Sequence, residues 1–412
     1  MHDTSMKGTF PAMIRIPLVI LGVPFDNLTL DEATECIFGL IDRSYGDGKP
    51  RLVCMADRIC IDNALHGDPR KTSPDLLSIL RRADMVLAEH MPAVRMSRFV
   101  GPALKECIVS GDLISCIARE ALTRRTSIYI LGSRAESVKH AWSVLEDRFP
   151  GLMVAGGHSL SAHTDGAEPF DAYESDTDTV DRINASSADI LFLSLGSPNQ
   201  EIWFERNRDK LHVPVCICIG DIFASIAGSE LCSPAWIRNV GLEDLLSSKR
   251  ARRQMRKCSL IDLITFWLLI LPSILFRKYS KAALHKRFLK TSMGKILYRY
   301  WTRGTRELFS LTLPGIIDSE TVKRLGFLIS KKPDSHLVLD FSRVKSIDSA
   351  GLGFLLHLIG IWDTGTYEVL HVGLSRLTKK LLAYNRMREL TPSRQFSDQN
   401  ELLAYLDEKA GE

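Results

Sequence analysis

The first half of the chain alternates between continuous apolar runs and amphipathic segments. Five apolar runs have the length of strands, and a helix-like segment follows each of them: "RLVCMA", "ADMVLAE", "TSIYILGS", "ADILFLSLGS" and "VPVCICIGD". An earlier run, "RIPLVILGVPFD", is expected to be the first strand, and a helix with acidic residues in its first turn should begin near Thr29. Strands that are apolar along their whole length are buried on both faces. The pattern therefore predicts an α/β fold with a mostly parallel sheet and helices on both faces.

Glycine and polar residues follow three of these predicted strands. They occur in "ILGSR" at 130–134, "SLGSPNQE" at 194–201 and "CIGD" at 218–221. Ligands of parallel sheets collect at the carboxyl ends of the strands, where glycine lets a ligand approach the backbone and helix N-termini favour phosphate. These three strand ends predict a site for a nucleotide or a sugar phosphate.

The segment at 249–303 differs from both of its neighbours. Residues 249–257 contain six Lys or Arg, and an apolar stretch of 14 residues follows from Leu263 to Phe276. That stretch is short for a membrane-spanning helix, and Pro272 interrupts it. A buried core helix and a re-entrant hairpin stay open, but basic flanks around apolar and aromatic residues favour peripheral or monotopic attachment to an anionic membrane face.

A second α/β unit begins after Gly304. Strand-like and helix-like segments alternate three times over about 100 residues, with "HLVLDFSRVKSIDSAGLGFLLHLIGI" as the central repeat. We therefore expect three parts: a domain at 1–248, a basic and apolar membrane-associating segment at 249–303, and a second domain at 304–412.

Composition limits the classes of protein to which this chain can belong. The 412 residues are 45% apolar and 25% charged, as in a globular protein, and a formal net charge of +4 does not suggest binding of nucleic acid. None of the nine cysteines forms a CxxC pair, which favours buried, reduced thiols. Arg15 and Pro17 interrupt the first apolar patch, so it does not have the form of a signal peptide. We expect neither a metal nor a cofactor.

The motifs of residues 18–245 resemble those of the WecG/TagA/CpsF glycosyltransferases. The segment "LGSPNQEIWFERNRDKL" is close to the Gly-Ser-Pro-x-Gln-Glu signature of that family, and "IAGSELCSPAWIRNVGLEDLL" supports the match. The resemblance implies a Rossmann-like fold and transfer of a sugar from a UDP donor to a polyprenyl-diphosphate-linked acceptor, without a metal. The candidate substrate-binding residues are Gly132, Gly196, Ser197, Pro198, Gln200, Glu201, Asp112, Asp221 and Arg238.

Several positions depart from the family's pattern. Glu89 in "ADMVLAEH" stands near the position of the Asp that is presumed catalytic in the family, and we expect Glu89 to be the base for the acceptor hydroxyl. Met55, Cys107 and Ala224 occupy motif positions that carry polar or charged residues in the family. Two interpretations therefore stay open: an active transferase, with a sugar of the N-acetylhexosamine type, or a scaffold that binds a nucleotide sugar without turnover.

The segment "LVLDFSRVKSIDSAGLGFLL" resembles the signature of STAS domains, the anti-anti-sigma-factor-like fold, over about 305–410. Its Asp-Ser-x-Gly turn places Ser349 at a helix N-terminus, where a phosphate would be stabilised. A helix cap formed by Asp348 or Ser349 explains the same residues. We expect this domain to bind a protein partner, or a second copy of itself, around Ser349 and Leu352. The chain as a whole is expected at the cytoplasmic face of a bacterial inner membrane, in cell-surface polysaccharide biosynthesis.

Overall fold

The computed structural model of the chain describes residues 16–66, 75–89, 93–94, 97–98, 101–160, 176–220, 297–303, 306–329, 335–362, 367–385, 387 and 395–410. The chain divides into two compact units. The N-terminal unit comprises residues 20–99 and 103–271, and the C-terminal unit comprises residues 272–412 together with 1–19 and 100–102.

A six-stranded sheet forms the centre of the N-terminal unit. Its strands are Arg51–Ala56 (β3), Met85–Ala88 (β4), Ile128–Gly132 (β5), Val154–Ser159 (β6), Ile190–Ser194 (β7) and Val215–Cys218 (β8). They lie in the order β4-β3-β8-β7-β5-β6, and every neighbouring pair is parallel. All residues of β4, β5, β7 and β8 are buried. The prediction of a parallel sheet from continuous apolar runs is confirmed.

The first apolar run differs from its predicted form. It folds into two short strands, Leu18–Ile20 (β1) and Val23–Phe25 (β2), that pair with each other and not with the large sheet. Leu21 and Gly22 between them have φ angles of 53° and 89°, which turn the chain. The prediction of one continuous strand is therefore wrong at this turn.

Seven helices accompany the large sheet among the described residues. They are Leu30–Asp47 (α1), Arg58–His66 (α2), Leu76–Arg82 (α3), Ser110–Arg124 (α4), Ala135–Arg148 (α5), Asp176–Ser186 (α6) and Asn199–Asn207 (α7). Helix α1 begins where the sequence predicts, because Thr29 and Glu32 form a reciprocal capping box at its N-terminus. Apolar side chains of α1, α4 and α5 pack with those of β3, β4, β5, β7 and β8 in one core.

The described strands of the C-terminal unit are Leu297–Arg303 (β9), Arg306–Thr312 (β10), Ile316–Ile317 (β11), His336–Asp340 (β12), Ser346–Ile347 (β13), Val369–Val372 (β14) and Gln395–Phe396 (β15). Five of them form one sheet in the order β15-β14-β12-β10-β9. Strands β9 and β10 are antiparallel, and β10, β12, β14 and β15 are mutually parallel. Strand β9 lies on the N-terminal side of the domain boundary expected at residue 304.

Four helices complete the described part of the C-terminal unit: Ser319–Ile329 (α8), Ser349–Trp362 (α9), Arg376–Tyr384 (α10) and Gln399–Ala410 (α11). One apolar cluster includes Leu325 of α8 and Leu358 of α9, and a second, smaller cluster includes Leu402 and Leu406 of α11. The unit is thus an α/β domain, as the sequence predicts.

The basic and apolar stretch at 249–296 lies outside the described residues. Among the helices that the structure does describe, none combines the length and the apolar character that crossing a bilayer requires.

Candidate active site

The candidate residues of the N-terminal unit gather at the carboxyl edge of its sheet. Asp57 follows β3, Glu89 follows β4, the turn at 195–198 follows β7, and Gly220 lies just beyond β8. The chain passes from β4 on one side of the central strands to β5 on the other. Such a change of direction in a parallel sheet opens a crevice at the carboxyl ends of the strands.

Glu89 is held between a strand end and a helix N-terminus. Its backbone N–H donates to the carbonyl of Ala56 at 3.3 Å, and its Oε1 accepts from the backbone N–H of Ser110 at 2.8 Å. Burial raises the pKa of the Glu89 carboxyl from 4.5 to about 7. Hydrogen bonding from Ser110 opposes this rise, and the charge of Asp57 adds to it. A carboxyl with that pKa can accept a proton near neutral pH, as a general base must.

Asp57 is a candidate that sequence reasoning missed. Ala56 and Ala88 are register partners on β3 and β4, so Asp57 and Glu89 are the next residues on two adjacent parallel strands. Burial raises the pKa of the Asp57 carboxyl. Its Oδ1 also accepts from the N–H of Cys60 at 2.7 Å in the first turn of α2, which is a capping interaction. The available signal was the acid directly after the strand in "CMADRI".

The first turn of α7, which follows the turn at 195–198, carries two buried polar side chains. Gln200 and Glu201 are 1% and 0% exposed. Gln200 Nε2 donates to Glu201 Oε1 at 2.9 Å, and Gln200 Oε1 accepts from the N–H of Gly220 at 3.2 Å. Burial raises the pKa of the Glu201 carboxyl to about 7, and the charge of Asp57 contributes to the rise. In this structure both side chains are engaged inside the protein rather than exposed in the crevice.

The residues of the turn at 195–198 frame the crevice. Gly196, Ser197 and Pro198 are half-buried, and the carbonyl of Ser197 accepts from the side-chain amide of Asn63 at 3.1 Å. This bond joins α2, which follows β3, to the turn that follows β7. The structure therefore brings the Asp57 and Gly196 strand ends together.

Glycine has a different structural role at Gly132 than at Gly196 and Gly220. Gly196 and Gly220 have φ angles of 75° and 67°, and a β-carbon on either would meet no atom of the described residues within 4 Å. A β-carbon on Gly132 would lie 2.6 Å from Cγ2 of Val138, so this glycine allows α5 to pack on β5. Gly132 thus has a packing role that the sequence pattern did not indicate.

Asp112 lies in the first turn of α4, two residues after Ser110, and is half-buried. Asp221, Arg238 and the arginine-rich stretch at 250–256 lie outside the described residues. Within the described residues, no group of three or more His, Cys, Asp or Glu side chains is arranged to hold a metal ion.

The second candidate site is the turn before α9. The Oδ1 of Asp348 accepts from the N–H of Gly351 at 2.9 Å, so Asp348 is the residue that caps the helix. Ser349 is 1% exposed, and its hydroxyl has no hydrogen-bond partner among the described atoms. Leu352 is also buried, at 2% exposed. Both side chains around which we expected a partner to bind are thus buried, and the partner surface stays a prediction.

Family models match both units. Residues 18–280 match the model of the glycosyl transferase WecG/TagA/CpsF family. This chain belongs to the WecG/TagA/CpsF family. Residues 302–392 match the model described as Mlab, STAS domain, so the C-terminal unit is a STAS domain. The family resemblance and the two-domain fold class predicted from the sequence are confirmed.

Curated relatives carry the same printed name, N-acetylglucosaminyldiphosphoundecaprenol N-acetyl-beta-D-mannosaminyltransferase. The Bacillus spizizenii protein is 25% identical over 42% of this chain, which spans 62% of that relative's length. The Staphylococcus aureus protein is 23% identical over 54% of this chain and 81% of its own length. A solved structure of the anti-sigma factor antagonist SpoIIAA in its unphosphorylated form aligns with 27% of this chain and 97% of its own, at 15% identity and a TM-score of 0.23.

The altered positions of this WecG/TagA/CpsF member lie in different surroundings. Met55 is 2% exposed and belongs to the main apolar core, whereas Cys107 is half-buried in the segment before α4. Ala224 lies outside the described residues. The polar groups at the described part of the sheet edge include Asp57, Glu89 and the buried Gln200–Glu201 pair.

Proposed function

We propose that this chain transfers a sugar of the N-acetylhexosamine type from a UDP donor to a polyprenyl-diphosphate-linked acceptor. Family membership supports the reaction class, and the printed names of the relatives support the acceptor and the sugar. The observation that carries the proposal is a buried carboxyl, Glu89, whose pKa is raised to about 7 at the crevice of the sheet.

In this mechanism Glu89 takes the proton of the acceptor hydroxyl as the oxygen attacks the anomeric carbon of the donor sugar. The bond from that carbon to the diphosphate breaks, and UDP leaves with the electron pair. Gly196 and Gly220 present their backbone to the donor, and the N-terminus of α7 favours its negative charge. Arg238 and the arginines at 250–256 would supply further positive charge to the diphosphate groups.

The test is transfer from a UDP-N-acetylhexosamine to a lipid-diphosphate acceptor by purified protein, with UDP binding measured in parallel. Glu89→Gln should abolish most turnover and leave UDP affinity unchanged. Glu205→Gln is the matched control, because Glu205 is an acid of α7 that pairs with Arg82. UDP binding without turnover by the wild type would support the alternative of a nucleotide-sugar-binding scaffold, which the altered Met55 position favours. The absence of UDP binding would contradict both.

We also propose that the basic segment at 249–290 attaches the protein to the cytoplasmic face of the inner membrane. Each Lys or Arg near an anionic surface contributes about 1 kcal/mol, and apolar residues add a term that salt weakens less. Deletion of 249–290, or replacement of its Lys and Arg by Gln between 249 and 257, should reduce binding to anionic vesicles. A chain with the six Lys and Arg of α8, α10 and α11 replaced by Gln is the control. Equal vesicle binding by all of these chains would contradict the proposal.

For the STAS domain we propose a regulatory role through a protein partner. Its support is the family match and a buried hydroxyl at the start of α9 that has no hydrogen-bond partner within the described part of the chain. A phosphate on Ser349 would add about −1.5 to −2 charges beside Asp348. Because Ser349 is buried, the surrounding residues would have to rearrange to accommodate this charge. Phosphorylation should therefore break a partner contact at this surface, through charge repulsion and the cost of desolvating the phosphate.

A further inference from the structure

Gly220 is held on both sides by side chains from the segment β7–α7. Its N–H donates to Gln200 Oε1 at 3.2 Å, and its carbonyl accepts from Ser194 Oγ at 2.7 Å. Ser194 is the last residue of β7 and is 2% exposed, and Gln200 lies in the first turn of α7. Two buried side chains therefore fix the two peptide groups of one glycine.

Glu201 orients the Gln200 side chain, which binds the Gly220 N–H. Its Oε1 accepts from Gln200 Nε2, which orients the Gln200 amide with its oxygen toward Gly220. A carboxyl oxygen accepts this bond whether or not the acid is protonated. The role of Glu201 here depends on its oxygen and not on its charge.

The position of Gly220 explains why such a hold would matter. Gly220 follows β8, which lies between β3 and β7 at the centre of the sheet. Its φ of 67° is adopted readily only by glycine, and among the described residues no atom lies within 4 Å of the place where a side chain would begin. A ligand in the crevice can therefore approach this backbone closely.

We propose that Ser194, Gln200 and Glu201 are positioning residues that hold the Gly220 backbone in the geometry that the nucleotide donor requires. Gln200 then acts on the donor through Gly220 and not by direct contact. The inference rests on the proposed UDP-sugar donor, and it differs from the expectation that Gln200 and Glu201 bind the donor themselves.

The experiment is calorimetric titration of UDP into the undivided 412-residue chain as wild type, Gln200→Ala, Ser194→Ala and the double variant. Each single variant should weaken UDP binding about tenfold, because a partly buried peptide group of Gly220 loses its hydrogen-bond partner. The loss of UDP affinity in the double variant should be much smaller than the product of the two single losses, because both changes act on the same glycine. Ser194→Ala removes one atom, so the fold should be kept. Losses that simply multiply, or wild-type affinity in Ser194→Ala, would overturn the proposal.

Three further variants separate positioning from general damage. Asn207 is also a buried amide of α7, and its Nδ2 donates to the carbonyl of Trp203 at 3.0 Å, at the other end of the helix. Asn207→Ala should lower the thermal midpoint as Gln200→Ala does, with UDP affinity unchanged. Glu201→Gln keeps an acceptor oxygen and should keep the affinity, whereas Glu201→Ala should lose it. Equal losses in Asn207→Ala and Gln200→Ala would overturn the proposal.

A second readout does not depend on the donor. Hydrogen exchange at the Gly220 amide, followed by NMR, should be faster in Gln200→Ala than in the wild type and in Asn207→Ala. If the wild type binds no UDP, the proposed donor is wrong. The exchange rate still shows whether the Gln200 side chain holds the Gly220 backbone. Equal exchange in all three proteins would show that it does not.

Discussion

Replacement of Glu89 by Gln should make the N-terminal unit more stable and the protein nearly inactive. The variant removes a carboxyl whose pKa burial raises from 4.5 to about 7. Gln has the same shape, and its amide oxygen can still accept the hydrogen bond from the N–H of Ser110. The substitution therefore changes the charge of the site and little else.

The magnitude follows from the two pKa values. A rise from 4.5 to about 7 corresponds to about 3 kcal/mol between the two protonation states. Because the folded pKa lies above the unfolded one, this contribution to stability is fully present below pH 4.5 and is lost as the pH rises through 7. Glu89→Gln should therefore raise the free energy of unfolding only slightly at pH 5 and by up to about 3 kcal/mol at pH 8.

The assay is thermal and denaturant unfolding of both proteins at pH 5 and pH 8, together with the transfer rate. Loss of the base should lower the rate about 10²–10⁴-fold. Glu32→Gln is a control in which the pKa shift has the opposite sign. A hydrogen bond from Lys105 lowers the pKa of the Glu32 carboxyl. Its replacement should not stabilise the protein at pH 8.

Two results would refute the reasoning about Glu89. A stability difference that does not grow between pH 5 and pH 8 would show that the carboxyl ionises at an ordinary pKa. Full transfer activity in a folded Glu89→Gln variant would show that another group is the base.

Three further predictions concern other titrating or buried groups. Asp57→Asn should shift the acidic limb of the pH–rate profile to lower pH, because it removes a charge that raises the pKa of Glu89; an unmoved limb would contradict this. Burial lowers the pKa of His371 from 6.5 to about 4, so the C-terminal unit should lose about 3 kcal/mol as the pH falls through this range. Calorimetry of His371→Leu should show that this loss disappears, and equal acid sensitivity would exclude His371 as its source. Ser349→Asp should lower the thermal midpoint and abolish capture of a protein partner, whereas Ser349→Ala should preserve both; equal behaviour of the two would leave no switch at this position.

The sequence predicted the parallel sheet because burial on both faces leaves an unbroken apolar run in each strand. It predicted the start of α1 because the Thr29 cap is local. It could not predict that Asp57 and Glu89 are adjacent, because the strand order depends on crossovers between distant segments. The turn at Leu21 and Gly22 was missed because positive φ at a leucine has no sequence signal.

The burial of Gln200 was not predictable for a related reason. A polar residue beside a glycine turn is usually taken to face a ligand, and only the paths of β7 and β8 show that its amide is used inside the protein. Likewise, Gly132 resembled Gly196 and Gly220 in sequence, but its neighbour Val138 comes from the next helix.

Strand β9 determines how the STAS domain can be dissected from the chain. A fragment cut at residue 304 would lose the Arg303 guanidinium that binds both carboxylate oxygens of Asp407, at 2.7 and 2.8 Å, and the Tyr300 ring whose centroid lies 4.7 Å from that of Phe309. Strand β10 would then present a row of unpaired N–H and C=O groups, which is a template for intermolecular strand pairing. Aggregation of such a fragment would reflect the missing strand and would say nothing about self-association of the intact domain, so binding studies on the isolated domain should begin at or before Leu297.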